Sequence, residues 1–181
     1  MSDLYCFTVL PGKLLGDRHV SDADGMDREV SMKIGYAAGG FDLFHVGHLN
    51  LLRQAKQHCD VLIAGVVSDE MLREVKGIEP VIPTGERAEI VRHLRFVDRV
   101  YVETTPSKLD AWRDMHFTHF FKGDDWRDTP KGLLLEEQFA EVGVEIQYLP
   151  YTVHTSSTAL RRALAAITES ASSTLHPAGA H

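Results

Sequence analysis

After residue 33, the chain alternates between short apolar runs and segments with helical periodicity. Continuous runs rich in β-branched side chains predict buried strands, and apolar residues that recur every three or four positions predict amphipathic helices. Ser68 stands where it can cap a further helix. The predicted strands cover 34–38, 61–67, 97–102, 118–122 and 144–148, and the other predicted helices cover 46–58, 84–95, 106–115, 132–142 and 156–167.

This alternation predicts an α/β fold, a Rossmann-like three-layer arrangement of a parallel sheet with helices on both faces. Ligands of such sheets bind beyond the carboxyl ends of the strands. Three loops fall at that edge: Gly39 to His48, Lys122 to Trp126, and Thr152 to Thr158. We therefore expect residues that are distant in sequence to converge there on one site.

The pattern also predicts how the chain is divided. Residues 1–32 fit it poorly, because a possible strand from Leu4 to Leu10 is followed by a polar, acidic stretch from Asp17 to Glu29. We expect an N-terminal extension that is partly disordered or packed on a partner subunit. Residues 33–168 form the α/β domain, and residues 169–181, rich in Ser and Ala, form a disordered tail.

Composition narrows the possible partners. The chain has 181 residues, of which 44% are hydrophobic, so it can bury a full core. Its net charge of -7 provides no overall field for nucleic acid. Cys6 and Cys59 are too few for a disulfide framework. No apolar run has the length of a membrane span and no signal peptide is evident, so we expect a cytoplasmic protein with no membrane partner.

The candidate chemistry lies in the stretch from Gly39 to His48. Gly39-Gly40-Phe41-Asp42 follows a predicted strand, and His45 and His48 open the next helix with Gly47 between them. A helix N-terminus presents unpaired N–H groups and a positive dipole end, and glycines let a phosphate approach the backbone. The spacing of three residues places both imidazoles on one helix face. This pattern predicts a site for a nucleoside triphosphate.

Together with four further motifs, this stretch resembles the cytidylyltransferase branch of the HxGH nucleotidyltransferase superfamily, and most closely the glycerol-3-phosphate cytidylyltransferases. The resemblance covers about 33–167. The further motifs are Glu86-Arg87, Arg95-Phe96-Val97-Asp98, Lys122-Gly123-Asp124-Asp125-Trp126 and Ser156-Ser157-Thr158. It implies an enzyme that transfers CMP from CTP to a small phosphorylated alcohol, with glycerol 3-phosphate the first candidate, and releases pyrophosphate.

The resemblance also implies roles for individual residues, a Mg²⁺ cofactor held through Asp42, and a homodimer. His45, His48 and Lys76 are the expected catalytic residues, and Arg87, Trp126 and Lys76 are expected to bind the acceptor. The expected nucleotide-binding residues are Gly39, Gly40, Phe41, Asp42, Gly47, Arg95, Gly123, Asp125, Ser156, Ser157 and Thr158.

Some of these residues have ordinary structural alternatives. Asp42 and Ser156 could simply cap helices. Arg87 and Arg95, two helical turns apart, could form surface ion pairs instead of binding phosphates through their guanidinium forks.

One departure from the family pattern keeps several functions open. Tyr151 stands where the glycerol-3-phosphate enzymes typically have arginine, and Val153-His154 replaces Glu-Gly. Phosphoethanolamine, phosphocholine, another polyol phosphate or a phosphonate therefore stay possible acceptors. An adenylyltransferase for a sugar phosphate is a second reading, although the related heptose-phosphate enzymes tend to have Lys-Gly-Gly-Asp where this chain has Lys122-Gly123-Asp124-Asp125. A nucleotide-binding module without catalysis is a third.

Overall fold

The computed structural model describes residues 18–21, 27–150 and 155–174, in two compact units that divide after Met32. In the first unit, strands β1 (Arg18–Ser21) and β2 (Asp27–Val30) pair antiparallel. The sequence pattern predicts no strand in this polar stretch, because its residues lack the apolar alternation by which strands are recognised. The strand predicted from Leu4 to Leu10 lies outside the described residues.

The second unit is a parallel five-stranded sheet with helices on both faces, which confirms the predicted fold class. Among the described residues, none of the helices has the length and apolar character to cross a membrane. The strands are β3 (Ile34–Gly39), β4 (Val61–Val67), β5 (Arg99–Glu103), β6 (His119–Gly123) and β7 (Glu145–Leu149). The helices are α1 (Val46–Gln57), α2 (Asp69–Lys76), α3 (Thr84–Arg92), α4 (Lys108–Met115), α5 (Pro130–Ala140) and α6 (Ser157–Thr174).

The strand order is β5-β4-β3-β6-β7, so the direction of winding reverses between β3 and β6. Loops on either side of such a reversal diverge and leave a crevice at the carboxyl ends of the strands. The loop after β3 ends at His45, His48 lies in the first turn of α1, and the turn after β6 contains Asp124–Trp126. The topology therefore brings the two most distinctive sequence motifs to one place.

Alternate side chains of the strands enter two separate apolar cores. On one face, Ala37, Leu62 and Phe121 pack with residues of α1 and α3. On the other face, Tyr36 and Phe120 pack with residues of α4 and α5. The central strands have continuous apolar runs because both of their faces are buried.

Several element boundaries differ from the predicted ones. Helix α3 ends at Arg92, three residues early, because the chain turns back to the sheet and the amide of Asp98 donates to the carbonyl of Leu62. Helix α6 continues to Thr174, so the predicted disordered tail is helical over its first six residues. Ser68 does cap α2, since its hydroxyl accepts from the amide of Met71.

A buried tyrosine depends on a glycine of the neighbouring strand. Tyr36 stacks on Phe117 with ring centroids 4.5 Å apart, and its hydroxyl donates to Glu103 at 2.7 Å. A Cβ on Gly65 would lie 2.1 Å from that hydroxyl oxygen. Gly65 therefore leaves the space in which the tyrosine reaches its carboxylate.

We predict that Gly65→Ala lowers the free energy of unfolding by about 1–3 kcal/mol, because overpacking displaces Tyr36 from Glu103. Urea denaturation measures the change. Gly85→Ala is the matched control, since a Cβ there meets no atom within 4 Å and alanine favours the helix. Equal stability of the two variants would contradict this account of the packing.

Candidate active site

A cavity of about 390 Å³ opens at the carboxyl ends of β3 and β6, within the usual range of small-molecule sites. It is lined by Gly39, Gly40, Phe41, Asp42, His45, Gly47, His48, Leu51, Leu72, Lys76, Ile78, Lys122, Gly123, Asp125, Trp126, Pro150, Ser156, Ser157, Thr158 and Arg161. The structure thus brings together most of the residues predicted from the sequence. Arg87 and Arg95 do not line the cavity.

The turn between β3 and α1 has an unusual backbone. Phe41 and Leu43 both adopt positive φ angles, 51° and 50°, which L-residues other than glycine seldom do. The ring of Phe41 is buried and lies edge-on to His48, with centroids 5.3 Å apart. Packing of this ring helps to hold a strained turn that a short peptide would not maintain.

The two imidazoles of the HxGH motif stack on each other with centroids 4.0 Å apart. His45 caps α1, and its Nδ1 accepts from the amide of Gly47 at 3.0 Å. A neutral His45 must therefore carry its proton on Nε2, which makes that atom a donor. A Cβ on Gly47 would lie 2.7 Å from Cε1 of His45, so glycine is needed for this ring position.

Both imidazoles are neutral at physiological pH. Burial lowers the pKa of His45 below its ordinary value. Burial and the neighbouring His45 lower the pKa of His48 to about 3. Nδ1 of His48 is buried and has no hydrogen-bond partner within the described part of the chain. The pair can therefore donate hydrogen bonds to a ligand without bringing a net charge.

Asp42 connects three parts of the site. Its Oδ1 accepts from the amides of Ile82 and Leu43, and its Oδ2 accepts from the amide of Val81 and from Arg161 of α6 at 2.7 Å. Only 2% of Asp42 is exposed. Burial by itself would raise the pKa of this carboxyl, but the donors outweigh burial and lower it.

These contacts contradict the expectation that Asp42 binds Mg²⁺. Each carboxylate oxygen already accepts two hydrogen bonds, and the guanidinium of Arg161 stands where a cation would bind. Among the described residues, no group of three or more His, Cys, Asp or Glu side chains could hold a metal ion. The carboxylate of Asp42 is therefore occupied by protein donors in this structure.

Arg161 is a residue of the cavity that the sequence analysis missed. It lies one helical turn after Ser157, so the two share a face of α6. Ser157 donates to the carbonyl of Asp42 at 2.8 Å, while Arg161 binds its carboxylate. Nε of Arg161 is buried without a partner in the described residues. The helical spacing from Ser157 was the signal that could have identified it.

Arg87 has a structural role in place of the predicted acceptor binding. Its side chain is fully buried, and all five of its N–H groups have protein partners. They donate to the carbonyls of Ile82, Gly40 and Val67, to the carboxylate of Asp69 and to the hydroxyl of Thr84. No donor remains for a substrate, so Arg87 holds the ends of β3 and β4 in place.

Arg95, which was expected to bind the nucleotide, also does not line the cavity. Arg95 is exposed and lies beyond the last residue of α3, so it does not share a helix face with Arg87. Lys76 is the last residue of α2, where Gly77 ends the helix with a positive φ of 60°. Its side chain lines the cavity, in agreement with a role near phosphates.

The motif after β6 presents a cation and an indole. Nζ of Lys122 lies 4.0 Å from the ring centroid of Trp126, a cation–π arrangement. Burial, and then the charges of Lys108 and Lys76, lower the pKa of Lys122 to about 8. Asp125 and Gly123 complete this wall of the cavity.

The hydroxyl residues at the start of α6 form the opposite wall. Ser156 caps the helix by accepting from the amide of Ala159 at 3.2 Å. Ser156, Ser157 and Thr158 line the cavity, so they can act both as a cap and as phosphate contacts. Tyr151, where the sequence departs from the family pattern, lies outside the described residues.

Comparison with known proteins places this geometry in context. A family model described as cytidylyltransferase-like matches residues 36–163. The chain is 32% identical over 134 residues to the bifunctional protein HldE of Hyphomonas neptunium, a match that covers 74% of this chain and 27% of that protein. It is 37% identical over 111 residues to the ethanolamine-phosphate cytidylyltransferase of Dictyostelium discoideum, covering 59% and 30% of the two chains.

The chain thus spans less than a third of the length of these two relatives. Among solved structures, the lipopolysaccharide core biosynthesis protein of Thermoplasma volcanium superposes with a TM-score of 0.59 at 21% identity. That match covers 69% of this chain and all of the other, and it supports the fold.

We predict that Asp42→Asn lowers the free energy of unfolding at pH 7 by about 2–3 kcal/mol, even with EDTA and without nucleotide. Because the pKa of Asp42 is lower folded than unfolded, its contribution is present above about pH 4 and is lost as pH falls through the folded value. The gap between wild type and variant should therefore narrow in acid.

Urea denaturation at several pH values measures this gap, with the exposed Glu74→Gln as the control that should change stability little. A metal-ligand role for Asp42 would predict the opposite, namely unchanged stability of the variant in EDTA.

Proposed function

We propose, since the chain belongs to the cytidylyltransferase-like family, that it transfers CMP from CTP to a small phosphorylated alcohol, with glycerol 3-phosphate the first candidate. An oxygen of the acceptor phosphate forms a bond to the α-phosphorus, and the bond from that phosphorus to the bridging oxygen breaks. The products are a CDP-alcohol and pyrophosphate.

The stacked pair of neutral imidazoles at the start of α1 is the observation that carries this proposal. Nucleotidyl transfer needs positioned donors where charge develops, on the α-phosphate and on the bridging oxygen. Nε2–H of His45 is such a donor, and His48 adds another beside it. The acceptor phosphate is already largely ionised near pH 7, so no side chain is needed as a strong base.

Cationic side chains around the pair suit an anionic substrate. Lys76, Lys122 and Arg161 line the cavity in a protein whose overall charge is -7. Arg161 is held by Asp42, and its buried Nε–H has no partner among the described residues. The N-terminus of α6 adds free backbone amides, which favour phosphate.

Three further properties are proposed from the resemblance alone. We expect a requirement for Mg²⁺, bound through oxygens of the nucleotide since Asp42 is occupied. We expect a homodimer, which light scattering would test, and a cytoplasmic location.

The adenylyltransferase stays the second candidate. Lys122 and Gly123, which line the cavity, begin both the motif of this chain and the Lys-Gly-Gly-Asp pattern of the heptose-phosphate enzymes, so they do not distinguish the two activities. The nucleotide is therefore tested together with the acceptor.

We predict pyrophosphate release with CTP and a polyol phosphate when the purified protein is screened against four nucleoside triphosphates and a panel of phosphorylated alcohols. The panel includes glycerol 3-phosphate, sugar phosphates, phosphoethanolamine and phosphocholine, and reactions run with Mg²⁺ or with excess EDTA. A signal confined to ATP and sugar phosphates would favour the adenylyltransferase. If no pair of substrates releases pyrophosphate, a nucleotide-binding module without catalysis becomes the favoured function.

We predict that His45→Ala and His48→Ala each lower kcat about 10²-fold or more while CTP still binds, as for lost oxyanion donors. Steady-state kinetics gives kcat, and calorimetry gives the Kd of CTP. His93→Ala is the control, because His93 is exposed at the end of α3. Near-normal turnover of both active-site variants would exclude the proposed role.

A further inference from the structure

The wall of the cavity after β6 presents a cation that has no close counter-ion. Lys122 faces the ring of Trp126, and the ion pairs of the described residues include none with Lys122. The negative charges of Asp125, on the same wall, and of Glu103 favour the protonated form of Lys122, but neither carboxylate forms an ion pair with it among the described residues. The ammonium therefore remains available to a ligand.

The carboxylate of Glu103, which also lies near this wall, is already paired with other side chains. Glu103 is buried, accepts from the hydroxyl of Tyr36, and forms an ion pair with Lys108. The charges of Lys108 and Lys76 are close enough to oppose protonation of Lys122. With Lys108 paired to Glu103, the charges of Lys122 and Lys76 face the carboxylate of Asp125, and the remaining positive charge would attract an incoming anion.

The indole of Trp126 has a second consequence for the ligand. The face of a tryptophan ring is the usual recognition surface for an ammonium group of a ligand. Here the protein's own Lys122 lies over that ring. A cationic alcohol would find this face of the ring taken and a like charge beside it, and such repulsion is an efficient way to reject a competing substrate.

We infer that Lys122 and Trp126 select phosphate monoesters of uncharged or acidic alcohols, such as polyols and sugars, and exclude the phosphates of amino alcohols. The inference rests on the proposed nucleotidyl transfer and names the acceptor class of that same site. It separates this chain from the acceptor in the name of its Dictyostelium relative.

Equilibrium binding and kinetics test this selection separately. Calorimetry measures the Kd of glycerol 3-phosphate and of phosphoethanolamine with the full chain and CTP, and pyrophosphate release measures kcat/KM for each. We expect wild type to favour glycerol 3-phosphate at least 10-fold in both measurements. Equal or reversed preference would overturn the inference, while nucleotidyl transfer itself would stand.

Variants of Lys122 test whether this side chain is the cause. Lys122→Met keeps the apolar stem and removes the charge, so KM for glycerol 3-phosphate should rise at least 10-fold, with a smaller change in kcat and a reduced preference. Lys122→Arg should retain most of the preference. Lys33→Met, exposed before β3 at the opposite edge of the sheet, is the charge-matched control. An unchanged preference in Lys122→Met would overturn the assignment.

The two proposals fail in different ways. Preferential binding of glycerol 3-phosphate without pyrophosphate release from any pair would contradict the enzymatic function and leave the selective wall intact. Turnover of phosphoethanolamine and glycerol 3-phosphate at equal efficiency would contradict the selectivity alone.

Discussion

The buried carboxylate of Asp42 is the contact on which the geometry of the cavity depends. It joins the turn after β3 to the loop that contains Val81 and Ile82, and joins both to Arg161 of α6. A buried charge is stable only when its lone pairs are filled, and here four donors fill them. The histidine pair, the N-terminus of α6 and the α2–α3 loop are therefore placed relative to one another by a single side chain.

Much of the fold and of the cavity could be predicted from the sequence. Apolar runs located all five strands of the parallel sheet, and strand ends placed His45, Trp126 and Ser156 near one another. The reason is that hydrophobic period and the geometry of parallel sheets leave few arrangements.

What could not be predicted was the direction of individual charged side chains. Arg87 and Arg95 have the spacing of a phosphate-binding pair, yet one is fully buried among carbonyls and the other lies past the helix end. The position of Asp42 in the sequence suggests a metal ligand, and its hydrogen-bond partners become known only from the structure. The sequence signal for Arg161 is its spacing of one helical turn from Ser157. Contacts with distant segments of the chain determine where these side chains lie, and the local sequence pattern carries no information about those contacts.

The positive φ angles of Phe41 and Leu43 bear on how this motif can be moved between proteins. The ten residues from Gly39 to His48 hold their shape only because distant amides, a buried ring pocket and α6 compensate for the backbone strain. A protein engineer who grafted the decapeptide onto another strand and helix would transfer the chemical groups without their arrangement. The transferable unit is the turn together with the α2–α3 loop and the start of α6.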